Sequence, residues 1–227
     1  MFRRRKTTMQ KKKNKINYIV AALLVLLLVI AALATSAYSK YVRKYSAEFK
    51  ADIVALGQVE IFLTETKVDE YGTPLTGAEA GTTNQGQAYK LVPGFTYTKD
   101  PLITVVSGSN PCWLFVEVKN DIEQFEASTN PIETQMLENG WTPIDGEENV
   151  YYHDIVDAFD AEQTVKVFEE FTIDGYANEV EGWDAVTPDS TTVTICAYAI
   201  QADGFNDEEK SKEENIASAW AALNANS

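Results

Sequence analysis

Apolar and polar positions alternate in short runs along most of the chain. This is the period-2 signature of strands with one face in a core. Residues 58–64 (QVEIFLT) set Val59, Ile61 and Leu63 against Glu60 and Thr64, with Phe62 as the exception. Residues 102–106 (LITVV) and 113–118 (WLFVEV) are strong strand runs. The five residues between them (SGSNP) read as a short turn, so the pair is expected to form a hairpin. Residues 150–152 are a short strand candidate, and 165–173 return to β-branched and aromatic residues. Residues 191–200 (TTVTICAYAI) are apolar on both faces and predict a central strand.

Between these runs the pattern breaks. Residues 65–88 are rich in Gly and Thr and read as a long exposed loop. Pro93-Gly94 suits a type II turn, with Gly at the position that needs positive φ. Residues 121–149 are loop-rich, broken by Asn130-Pro131, Asn139-Gly140 and Asp145-Gly146. Residues 154–162 can hold one or two helical turns. At the C-terminus the period changes. Ser211 and Glu214 match a capping box. Ile216, Ala219, Trp220 and Leu223 then share one helix face, placing a helix over 207–224. Trp220 is expected to dock that helix on the sandwich edge. Many strands with turn residues between them and one terminal helix predict an all-β fold, an antiparallel β-sandwich in a single domain.

The N-terminus follows another rule. Residues 1–17 hold eight basic residues and no acid, and residues 18–39 carry no charge. A basic run, an apolar run and small residues in sequence form an export signal. Small residues at −3 and −1 favour cleavage between Ala37 and Tyr38, with Ala34 and Thr35 flanking an alternative site. This divides the chain into an export signal, 1–37, and an extracellular domain, 38–227. The competing reading keeps the apolar run as an uncleaved transmembrane helix, a membrane anchor over residues 18–39. In both readings the basic end stays cytoplasmic and the remainder lies outside the cytoplasmic membrane, secreted or on the cell surface.

Charge sharpens this division. The 227 residues carry 19 Lys+Arg and 34 Asp+Glu, a net charge of −15. The 190 residues after Ala37 hold 11 of the bases and all 34 acids, a net charge of −23. Such a surface excludes nucleic acid as a partner, because phosphate binding needs a basic face. It also makes copies of the chain repel one another at low salt.

Catalytic chemistry is poorly provided for. The chain has one histidine, His153, and no HExxH, GxSxG or P-loop motif, so no enzyme activity, cofactor or metal-ligand set is expected. Asp203 to Glu209 (DGFNDEE) resembles part of a Ca²⁺ loop but lacks the twelve-residue spacing, and acids at a helix start are explained by the helix dipole. Export permits a disulfide between the two cysteines, Cys112 and Cys196. Cys112 shares parity with the core-facing Leu114, Val116 and Val118, whereas Cys196 shares parity with Thr194 and Tyr198. The alternative is two small buried hydrophobes.

Three stretches carry a family resemblance. They are residues 36–63 (SAYSKYVRKYSAEFKADIVALGQVEIFL), 90–118 (KLVPGFTYTKDPLITVVSGSNPCWLFVEV) and 192–205 (TVTICAYAIQADGF). With the export signal before them, they resemble the TasA/camelysin-type family of exported proteins, whose signals are handled by a SipW-type signal peptidase in Gram-positive bacteria. The matching features are the aromatic-rich segment after the signal and the Pro93-Gly94 turn before Lys99-Asp100 and its following strand. The resemblance implies a jelly-roll sandwich and a secreted or surface-attached structural protein of the extracellular matrix, of the biofilm type. Its partners are the signal peptidase during export, then further copies or other matrix proteins. It also implies strand exchange between subunits, with residues 38–56 as the candidate donor; the alternative is that this segment pairs within its own subunit. A membrane-anchored surface binding module and a secreted hydrolase remain as rival readings.

Overall fold

Alternation in Ile61–Thr66 (β3) buries Ile61, Leu63 and Glu65 and leaves Phe62 half exposed on the opposite face. The same device repeats along the chain in a computed structural model, which describes residues 42–46, 52–56, 58–186 and 192–225. The first two segments are described by their backbone alone. The export signal, the 18–39 apolar run and the candidate cleavage positions Ala34, Thr35, Ala37 and Tyr38 lie outside the described residues. Among the described residues, no helix is long and apolar enough to cross a membrane.

Among the described residues, two main sheets form. The first has six strands in the order β1 (Val42–Ser46), β2 (Asp52–Leu56), β12 (Val193–Gln201), β7 (Cys112–Asn120), β9 (Val150–Val156) and β8 (Thr142–Pro143). The second has the order β10 (Gln163–Lys166), β6 (Leu102–Val105), β3 and β4 (Thr82–Thr83). A two-stranded ribbon joins β11 (Glu170–Thr172) to β5 (Thr96–Thr98). The pairing is antiparallel throughout, except that β2 runs parallel to β12. The all-β, antiparallel, sandwich-like architecture with a C-terminal helix is therefore the fold.

The main core lies between the sheets. Ile61, Leu63, Ile103 and Val105 belong to the same buried cluster as Cys112, Leu114, Val116, Ile195 and Ala197. A second cluster covers the other face of the first sheet. There the C-terminal helix α2 (Lys212–Asn224) places Ile216, Ala219, Trp220 and Leu223 with Trp113, Phe115 and Ile200. This double coverage explains why β7 and β12 are apolar on both faces, and β12 lies inside its sheet as expected.

Several expectations are corrected. The runs at 102–106 and 113–118 form no hairpin: β6 pairs with β3 and β10, whereas β7 pairs with β12 and β9. Residues 107–111 cross from one sheet to the other. Ser109 Oγ accepts the Glu60 N–H (3.1 Å), Asn110 N–H bonds the Gln58 carbonyl (2.9 Å), and the Pro111 carbonyl accepts from Ala202 (2.7 Å). Alternation cannot separate the two outcomes, because hairpin strands and facing strands both turn apolar residues inward.

Residues 154–162 form no helix. β9 continues through Val156, which pairs with Cys112, and the Asp157 carboxylate then accepts the Phe159 N–H (3.0 Å) in a turn. The loop-rich stretch 121–149 contains a two-turn helix, α1 (Ile132–Glu138), bracketed by Pro131 and by Gly140 at φ 88°. Trp220 docks on the sheet face, against Phe115 (5.5 Å between ring centres) and Tyr198 (5.2 Å), rather than on an edge. The helix begins at Lys212 instead of 207. Asp207 belongs to the turn before it, where the Asn215 side chain braces both the Asp207 N–H and its carbonyl. The capping box is present as predicted, with Ser211 Oγ accepting from Glu214 N–H and the Glu214 carboxylate accepting from Ser211 N–H. Pro93-Gly94 makes its turn, with Gly94 at φ 81° and Phe95 N–H bonded to the Val92 carbonyl (3.1 Å).

Candidate functional site

The first sheet carries an added hairpin at one edge. β1 and β2 pair from Val42↔Leu56 to Ser46↔Asp52. β2 then lies along β12, with Ile53 beside Ala197 and Leu56 beside Ile200. Five residues beyond Leu56 the chain is already in β3 of the other sheet. The hairpin therefore attaches to the domain by the β12 ladder and by one short connector. Without it, the apolar strand β12 would present its backbone N–H and C=O groups at an open edge, a template for another chain.

A second feature lies between β3, the ribbon and the 65–88 segment. Glu65 continues the inward parity of Ile61 and Leu63, so its carboxylate enters the interior. Lys99 Nζ bonds Glu65 Oε2 at 2.7 Å, with both side chains 9% exposed. Gln87 Nε2 bonds Glu65 Oε1 (3.1 Å) and the Thr66 carbonyl (2.8 Å), while Gln87 Oε1 accepts the Val68 N–H (2.7 Å). The Asp100 carboxylate receives the Thr66 N–H (2.7 Å) and hydroxyl (2.6 Å). Aromatic rings pack nearby: Tyr97 stacks on Phe171 (4.9 Å), and Tyr89 meets both edge-on. Burial, then the charges of Glu65 and Asp100, push the Tyr89 hydroxyl well above its ordinary range. Residues 65–88, which the sequence presents as a long exposed loop, thus begin with a buried acid. The parity of positions 61, 63 and 65 was the available signal that an acid points inward.

Compared with known proteins, the chain matches no family model, no curated protein and no solved structure.

The sequence-derived candidates fall elsewhere. Cys112 and Cys196 form no disulfide. Cys112 sits opposite Gln201, whereas Cys196 sits opposite Glu117, five residues along the same ladder and on the other face. That offset is about 17 Å at ~3.4 Å per residue, against the ~4.4–6.8 Å between Cα atoms that a disulfide requires. Burial, with the Asp157 charge adding, pushes the Cys112 thiol up to about 12. His153 Nδ1 lies 3.0 Å from the Asp154 carbonyl, and its ring meets Trp141 edge-on. It borders an open groove of ≈ 380 Å³ with Asn139, Asp157, Thr164 and Lys166. Among the described residues, no hydrogen bond joins it to a side-chain hydroxyl or carboxylate, and no group of three or more His, Cys, Asp or Glu is placed to hold a metal ion.

Proposed function

We propose that this chain is an exported, non-enzymatic structural protein of the cell surface or extracellular matrix, assembling through exchange of its N-terminal strands. The observation that carries the reading is the β1–β2 hairpin, an edge addition directly following the apolar run, laid parallel on an otherwise buried apolar strand. A segment held by main-chain bonds can leave one β12 and occupy that of a neighbour with the same register.

Charge supports the same reading. Residues 38–50 contain Lys40, Arg43, Lys44 and Lys50 against Glu48 alone. The following 177 residues hold seven bases and 33 acids. A basic arm on an acidic body favours association between copies that would otherwise repel one another.

The test has two parts. N-terminal sequencing of exported material should return a start at Tyr38; an intact Met1 end recovered in membranes supports the anchored binding module instead. The 38–227 fragment should form oligomers or fibres in sedimentation and electron microscopy. If it stays monomeric at high concentration, salt and divalent cations, the assembly reading fails.

A further inference from the structure

We propose that Lys99 and Glu65 are the site of an intramolecular amide cross-link formed within the folded domain. The pair meets the geometric needs of that bond. Lys99 Nζ is 2.7 Å from Glu65 Oε2, which at an ordinary hydrogen-bond angle sets it about 3.5 Å from the carboxyl carbon, the outer limit of near-attack geometry. Both groups are buried, and Tyr89, which packs on Tyr97 and Phe171, bonds the Thr98 carbonyl next to Lys99 (3.2 Å) and feels the Glu65 charge. A low-polarity setting favours conversion of two charges into a neutral amide. Gln87 Nε2 already donates to the other carboxyl oxygen, Oε1, where negative charge develops as nitrogen adds to carbon.

The step balances without a co-reactant. One ammonium proton passes to Glu65 Oε2 along the existing hydrogen bond. The freed amine adds to the carboxyl carbon, forming the Nζ–C bond. A second proton moves from nitrogen to Oε2, the C–Oε2 bond breaks, and one water leaves. Three ammonium hydrogens end as one amide N–H and two hydrogens of water. No oxidation or reduction occurs, and net charge is unchanged.

The product would tie β3 to the segment after β5 and close the chain around residues 65–99. That loop includes the long surface stretch most open to proteolysis. A covalent tie there restricts the unfolded chain and fixes the ends of the stretch.

Mass decides the matter. The purified, folded full chain should weigh about 18 Da less than its sequence, the mass of the one water lost in this condensation. Proteolysis after denaturation should give a branched peptide joining the segments around Glu65 and Lys99. Lys99→Arg and Glu65→Ala variants should restore the sequence mass. If the parent chain has its full sequence mass, with Lys99 and Glu65 both recovered in linear peptides, the proposal is wrong. That result needs no variant to fold, and it leaves the assembly reading untouched.

Discussion

Trp141 and Trp113 are both buried, but their indole N–H groups fare differently. Trp141 Nε1 donates to the Lys166 carbonyl at 2.8 Å, whereas Trp113 Nε1 meets no acceptor among the described residues. Trp141→Phe strips a carbonyl of its donor and should cost about 1–3 kcal/mol more than Trp113→Phe in chemical denaturation. Gly72 is constrained twice over: its φ is +73°, and an added Cβ would stand 2.7 Å from Tyr97 Cα. Gly72→Ala should therefore destabilise by more than about 1 kcal/mol, seen as a lower denaturation midpoint. Cys112 gives a pH prediction. Its thiol is raised from 9.0 to about 12 in the folded state, so the folded chain holds this proton more tightly than the unfolded one. The corresponding stability is fully present below pH 9 and declines as pH rises towards 12. Cys112→Ala should flatten that alkaline decline, measured by denaturation across the same range. In the native chain at pH 8 the thiol should also resist alkylation until the protein unfolds. The core parity of Cys112 was legible from its neighbours Leu114, Val116 and Val118. The inward carboxylate of Glu65 is masked in the sequence, because an acid that opens a Gly- and Thr-rich stretch looks solvated even where parity turns it inward.

The elements differ in how much of their definition is local. The C-terminal helix carries its own start signal and its own apolar face, and both are realised. Ser211→Ala removes the side-chain half of the capping box and should cost about 1 kcal/mol. Trp220→Ala empties the contact with Phe115 and Tyr198 and should cost about 3–5 kcal/mol, with a matching change in near-ultraviolet circular dichroism. By contrast, α1 spans seven residues, too short for periodicity to stand out, although Pro131 and Gly140 mark its ends. Its role is fixed by tertiary bonds. The buried Gln135 side chain accepts N–H groups from Glu169 and Glu170 and donates to the carbonyls of Asn130 and Glu170. It thereby satisfies the irregular backbone between β10 and β11, and this long-range job leaves no local pattern.

At the scale of the whole molecule, the arm and the body differ in charge as well as in structure. Reversing Arg43 and Lys44 to Glu adds repulsion to a domain already carrying −23 beyond Ala37. That variant of the 38–227 fragment should sediment as a monomer at concentrations where the parent assembles. The sequence by itself determined the division between a basic and then uncharged N-terminal stretch and an acidic β-rich body, because charge and hydropathy are properties of composition along the chain. It also determined the central place of β12, the Pro93-Gly94 turn and the terminal helix, each of which is specified by adjacent residues. Only the tertiary structure decided that residues 102–106 and 113–118 face one another across the core rather than pairing edge to edge. Only it brought Lys99 and Gln87 to Glu65, set Cys112 and Cys196 five residues apart along one ladder, and laid β2 parallel to a strand about 140 residues away. The physical reason is common to all four. Alternation specifies which side chains turn inward, but hydrogen bonding and packing between distant segments select the neighbour each strand meets.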